Sequence, residues 1–160
     1  MKALSCVLAA VSGCCLLAPG CTGPIYQPGQ QYFPDAISPR TQWTATGTVA
    51  DPVKAIDGNV ATAAVAPVGV ADPMLVVDLG KPCLLNMIVV DHGANEMGYC
   101  RLLAVQTSDD GMHWVERASV PGLRRVTNVL LTSQVLARYV RLKVARPGGG
   151  PWSVAEVYIN

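Results

Sequence analysis

The stretch Arg138–Arg146, RYVRLKVAR, decides the fold, because its side chains alternate with the two-residue period of a β-strand. Val140, Leu142 and Val144 occupy one face, and basic residues occupy the other. A strand that is apolar on one face and charged on the other covers a core with its inner face and meets water with its outer face. The pattern therefore predicts a strand in an antiparallel β-protein.

Further strand patterns lie on both sides of this stretch, and turn residues separate them. Leu84–Val90 is apolar on both faces and is predicted to be a central strand that is buried on both sides. Ser108–Gly111, SDDG, predicts a hairpin, because Asp-Gly accepts the positive φ angles that tight turns need. Seven or so short strands without a convincing helix predict an all-β sandwich or barrel.

Length and composition exclude several classes of protein. A chain of 160 residues corresponds to about one domain. Hydrophobic residues make up 51% and charged residues 14%, so the chain is not intrinsically disordered. The net charge of +1 argues against a nucleic-acid partner that is held by a strongly basic surface.

The first forty residues differ in composition from the rest. Residues 1–20 have a positive start and a short apolar stretch, which predicts an export signal. Small residues before Cys21 resemble a bacterial lipoprotein signal, in which that cysteine is acylated. Cys14 also follows small residues and is the second candidate for acylation. The third alternative is a cleaved signal peptide without a lipid anchor.

Lipidation of Cys21 would place the protein in the bacterial cell envelope, attached to a membrane through its lipid anchor alone. Residues 21–40 are rich in Pro, Gly and Gln and are predicted to be a linker. The folded domain is predicted to span residues 41–160.

Several motifs occur in a fixed order along this domain. They are Ala55–Asn59 (AIDGN), Thr62, Val76–Gly80 (VVDLG), Ser108–Trp114 (SDDGMHW), Arg138–Leu142 (RYVRL) and Ala155–Val157 (AEV). In this order they resemble the discoidin domain, also called the coagulation factor five/eight type C domain, which includes many bacterial carbohydrate-binding modules. The resemblance runs from about residue 43 to residue 160 and implies an eight-stranded jelly-roll β-sandwich with ligand loops at one end.

The resemblance also implies a structural calcium site, because many bacterial relatives bind one calcium ion with the matching loop and glutamate. The implied ligands are Ala55, Asp57, Asn59, Thr62 and Glu156. Their carboxylate, hydroxyl and carbonyl oxygens are the ligands that calcium prefers. In the alternative reading, Asp57 caps a turn and Glu156 pairs with an arginine.

The implied carbohydrate site lies at the loop end of the sandwich. Sugar-binding relatives often use an aromatic ring just before the final strand, where this chain has Trp152. An indole face complements the C–H side of a pyranose, and polar side chains then recognise its hydroxyls. The candidates for that role are His92, Asn95, Tyr99 and Arg101. In the alternative reading, Trp152 belongs to the core edge and His92 caps a strand end.

Cys83 and Cys100 remain after the predicted signal is removed. They stand at opposite ends of a predicted strand and loop, roughly 30 Å apart at about 3.3 Å per residue. A disulfide needs Cα atoms within about 7 Å. The two thiols are therefore predicted to be unpaired.

The sequence carries no motif of a common catalytic site. It lacks His-Glu-x-x-His, Gly-x-Ser-x-Gly, a Walker loop and Cys-x-x-Cys. The predicted function is therefore that of a surface-tethered module that binds a glycan or glycoconjugate and is not an enzyme, with any catalytic partner on a separate chain. The alternative is a protein–protein adaptor or structural envelope lipoprotein that keeps the sandwich without binding sugar.

Overall fold

Two long antiparallel strands organise the fold in the computed structural model, which describes residues 37–160. The described residues also contain six shorter strands and two short 3₁₀ helices, Arg40–Gln42 and Pro52–Ala55. The strands are β1 (Thr44–Gly47), β2 (Ala64–Val65), β3 (Met74–Asp91), β4 (Leu102–Ser108), β5 (Val115–Val120), β6 (Val126–Arg146), β7 (Ser153–Val154) and β8 (Glu156–Ile159). The all-β prediction is confirmed.

The strands pair in two antiparallel sheets. The larger sheet has the order β1-β3-β6-β4-β5, and β8 pairs with the second half of β3. The smaller sheet pairs β2 with β7. Leu75 lies opposite Leu142 and Val77 opposite Val140, and all four side chains are fully buried. The inner face predicted from RYVRLKVAR is therefore the core face of β6.

A bulge bends β3 at Gly80–Pro82, GKP, a sequence that is typical of a turn between two strands. Gly80 adopts a φ of 78°, and its N–H donates to the Asp78 carboxylate at 2.8 Å. The pairing with β6 shifts register between Asp78 and Cys83 and then continues. Residues 75–79 and 84–90 therefore belong to one strand, because pairing with β6 continues on both sides of the bulge.

Burial along Leu84–Val90 differs from the prediction. The segment is central, since it lies between β6 and β8. Leu85, Ile88 and Val90 are fully buried, but the residues between them are half-buried or exposed. The prediction of burial on both faces was wrong, because the outer face of this part of β3 stays partly open to solvent.

The domain begins earlier than the predicted boundary at residue 41. Ser38 is buried and donates its hydroxyl hydrogen to the Leu79 carbonyl. The Trp43 indole N–H lies 2.9 Å from the Ser38 hydroxyl and 3.1 Å from its carbonyl. The last four residues of the predicted linker, 37–40, therefore pack on the domain.

The predicted signal, Cys14, Cys21 and the linker through residue 36 lie outside the described residues. Within residues 37–160, no helix has the length and hydrophobicity that crossing a bilayer requires.

The two cysteines of the domain are buried and form no disulfide in the described part of the chain, as predicted. Burial raises the pKa of the Cys100 thiol to about 11, because a thiolate there would lose its hydration. At neutral pH Cys100 is therefore a neutral, unreactive core thiol.

His92 is part of the buried structure at the end of β3. Its Nδ1–H donates to the Ser153 carbonyl at 2.7 Å, and its Nε2 accepts the Thr127 hydroxyl hydrogen at 3.1 Å. We assign this neutral tautomer because a carbonyl can only accept. Burial lowers the pKa of His92, since the charged ring would lose its hydration. The residue links β3, β6 and β7.

We expect His92 to make the domain sensitive to mild acid. A histidine whose pKa is lowered by folding stabilises the folded state fully above its unfolded pKa, about 6.5. That stability is lost as the pH falls below this value. The melting temperature should therefore decrease between pH 7.5 and pH 5, and His92→Asn should show a weaker decrease.

His113 supplies the control for this measurement. It is exposed, and the Asp110 carboxylate raises its pKa, so its contribution is present at low pH and lost as the pH rises. Replacing it with Asn should therefore leave the acid-induced decrease in place. Equal pH profiles for the wild type and His92→Asn would contradict the assignment.

Candidate functional site

Two loops enclose a cleft of about 340 Å³ beside Trp152. One loop, residues 66–73, connects β2 to β3, and the other, residues 147–152, connects β6 to β7. Val68 lies at the cleft and is 91% exposed, and none of the described residues that line it carries a charge. The cleft is therefore an apolar recess of the size that holds a small ligand.

Glycines allow the 147–152 loop to pack on its neighbour, residues 91–99. A Cβ on Gly148 would lie 2.0 Å from the Tyr99 carbonyl oxygen, and one on Gly98 would lie 1.9 Å from the Ser153 hydroxyl. Neither position leaves room for a side chain. The sequence PGGGP thus brings two backbones together, and the 91–99 loop supports the wall of the cleft.

Trp152 lines the cleft but exposes only 3% of its surface. Its carbonyl accepts the Ala66 N–H at 2.7 Å, and the next residue donates its N–H to Gly98 at 2.8 Å. These bonds hold Trp152 at the start of β7, between two loops. This burial matches the alternative that Trp152 belongs to the core edge, because backbone pairing on both sides draws the indole into the core. Its role in ligand binding stays a prediction.

The Trp152 indole nitrogen is nevertheless unsatisfied. It is buried and has no hydrogen-bond partner among residues 37–160. A buried donor without an acceptor costs about 1–3 kcal/mol, so such a group is often completed by a ligand or a water molecule.

The four predicted polar contacts lie around the supporting loop. Asn95 donates to the Ser153 hydroxyl at 3.2 Å and accepts the Met97 N–H, while His92 bonds the Ser153 carbonyl. Arg101 is exposed and Tyr99 is half-buried. None of the four lines the cleft.

The role of these four residues in ligand binding stays a prediction, and the cleft lies apart from them. His92 and Asn95 meet at Ser153, where they hold the loop in place, because their polar atoms already have protein partners. The sequence reasoning missed the 66–73 loop. The sequence signal that could have identified this loop is Pro67–Val70, PVGV. It places two valines in a turn, where side chains are usually exposed.

The predicted calcium loop is closed by its own hydrogen bonds. Asp57 accepts the Asn59 N–H at 2.8 Å and the Thr62 hydroxyl hydrogen at 2.7 Å. The bond from Thr62, followed by the one from Asn59, lowers the pKa of Asp57. The Asn59 carbonyl accepts the backbone N–H of Thr62 at 3.0 Å, and Ala55 is buried in the adjoining 3₁₀ helix.

Glu156 lies under this loop and is completely buried. Its Oε1 atom contacts the Arg40 guanidinium, and its Oε2 atom has no partner in the described chain. Burial raises the pKa of Glu156, Arg40 and the Gly58 backbone N–H oppose this rise, and the Asp57 charge adds to it.

These contacts test whether the predicted ligands fit a calcium ion. Calcium takes six to eight oxygens, and here the Asp57 oxygens and one Glu156 oxygen are already used. In addition, no three His, Cys, Asp or Glu side chains in residues 37–160 are grouped so that they could hold a metal. The arrangement matches the alternative, with Asp57 capping a turn and Glu156 paired to an arginine. Calcium binding stays a prediction of the resemblance alone.

Solved structures share this fold. The family 32 carbohydrate-binding module of Clostridium perfringens NanJ, in complex with galactose, has a TM-score of 0.69 at 21% identity, over 76% of this chain and 95% of that one. CpGH89CBM32-5 from the same organism, in complex with GalNAc-β-1,3-galactose, has a TM-score of 0.68 at 19% identity, over 76% and 96%.

A chitosan-binding module of a Paenibacillus sp. IK-5 chitosanase/glucanase has a TM-score of 0.66 at 22% identity, over 74% and 95%. At these identities the likeness shows a common β-sandwich fold. No curated protein matches the chain significantly in sequence.

The family model of the F5/8 type C domain matches residues 35–157. This range includes all the described strands except the last two residues of β8. It confirms the resemblance drawn from the ordered motifs, and the chain belongs to the F5/8 type C, or discoidin, domain family.

Proposed function

We propose that this domain is a non-catalytic carbohydrate-binding module and that the cleft beside Trp152 is its site. The proposal is supported by the shared fold with modules that are described as bound to galactose or as chitosan-binding. The observation that carries it is the uncharged, apolar cleft between the two loops, with Trp152 among the residues that line it.

The chemistry of the cleft suits a sugar ring. Val68, Val70 and the neighbouring prolines provide apolar surface for the C–H face of a pyranose. The absence of charge among the described lining residues favours a neutral sugar over an acidic one.

The same lining residues support a binding role without catalysis. Hydrolysis of a glycosidic bond needs a pair of carboxyl groups that flank the bond. The described residues that line the cleft are apolar or glycine. They offer no general acid, general base or nucleophile, so a bound sugar would leave unchanged.

A glycan array tests the proposal. Val68→Lys should reduce binding at least tenfold, because a long charged side chain would enter an apolar cleft. Met112→Lys is the matched control, since Met112 is 75% exposed and does not line the cleft. It should bind like the wild type.

Both variants should keep the wild-type melting temperature, because both positions are exposed. A wild-type protein that binds no glycan, or a Val68→Lys variant that binds as well as the wild type, would contradict the proposal. The first result would favour the adaptor function instead.

We also propose that Cys21 is lipidated and holds the module at the bacterial cell envelope. The support is the apolar start of the chain and the small residues before Cys21. Metabolic labelling with a palmitate analogue should mark the wild type and Cys14→Ala but not Cys21→Ala. Label that persists in Cys21→Ala and disappears in Cys14→Ala would assign the anchor to Cys14.

A further inference from the structure

The Arg40 side chain is held by contacts with four other residues of the domain. Its guanidinium carbon lies 5.2 Å from the centre of the Trp43 ring and 5.4 Å from that of the Tyr158 ring. Its Nη2 atom contacts Glu156 Oε1 and donates to the Val157 carbonyl at 2.9 Å. Two aromatic faces, a carboxylate and a carbonyl are the partners that a guanidinium prefers.

Glu156, the residue that Arg40 contacts, needs a positive charge nearby if it is to be ionised. Glu156 exposes none of its surface, and an ionised carboxylate in that position is strongly unfavourable without a nearby positive charge. The other charge that acts on Glu156 is the carboxylate of Asp57, which is repulsive. Arg40 is the cation in contact with Glu156 among the described residues.

A calcium ion would compete with Arg40 for the same carboxylate. It would have to bind Glu156 next to a guanidinium and would also have to break the bonds that Thr62 and Asn59 make to Asp57. Both costs oppose calcium. Arg40 already supplies one positive charge beside the single carboxylate of Glu156.

We propose that Arg40 takes the place of calcium as the counter-charge of Glu156, so that the domain is stable without the metal. The two residues are 116 positions apart, so the pair also fixes the start of the domain to its last strand. The Arg40–Glu156 pair holds the domain together whether or not the domain binds a sugar.

The first experiment measures the melting temperature of the full chain by circular dichroism, with excess calcium and with a chelator. The two values should agree within about 1 °C, because a ligand that does not bind the folded state does not stabilise it. An increase of several degrees with calcium would overturn the proposal.

The second experiment is a double-mutant cycle. Arg40→Met should lower the melting temperature by about 5–15 °C, because it leaves a buried carboxylate unpaired. In the Glu156→Gln background, Arg40→Met should lower the melting temperature by less than half as much. Equal losses in both backgrounds would overturn the proposal.

Arg138→Met is the matched control for this cycle. Arg138 pairs with Asp78 through two bonds of 2.8 Å, and both side chains are partly exposed. Arg138→Met should lower the melting temperature only slightly, and by the same amount with or without Glu156→Gln. If Arg40→Met does not fold, a folded Arg40→Met/Glu156→Gln double variant supports the proposal, and an unfolded one contradicts it.

Discussion

The pairing of β3 with β6 is the constraint on which the rest of the structure depends. Both strands are long, and their register runs from Met74 opposite Lys143 to Asp91 opposite Val126, with two shifts on the way. β1 and β8 pair with β3, whereas β4 pairs with β6 and carries β5. Each strand of the larger sheet is thus placed by these two, and the loops that leave their ends are placed with them.

Much of this architecture could be predicted from local patterns, because alternation of apolar and polar residues is a property of each strand alone. RYVRLKVAR and the SDDG turn are examples. The continuity of β3 through Gly80 was not predictable in that way, since the partner strand decides whether a glycine ends a strand or bends it. The order of the motifs predicted the family correctly, because the order reflects the whole fold. A single motif reflects only one local turn or strand and is not specific.

The site was harder to predict because contacts between distant residues determine it. Trp152 is drawn inward by its own bond to Ala66 and by the bond from the next residue to Gly98, and His92 is buried by partners at 127 and 153. An aromatic or a histidine in a loop looks the same in sequence whether it faces solvent or a core. The pairing of Glu156 with an arginine was a foreseeable alternative, but the identity of Arg40, across 116 positions, was not.

Sugar binding at the uncharged cleft of the loop end is tested most directly by nuclear magnetic resonance, with amide and indole N–H shifts followed as the best array ligand is added. We expect shift changes at the Trp152 indole and within residues 66–73 and 147–152. Changes centred on the Ser108–Trp114 turn, with the Trp152 indole unaffected, would contradict it.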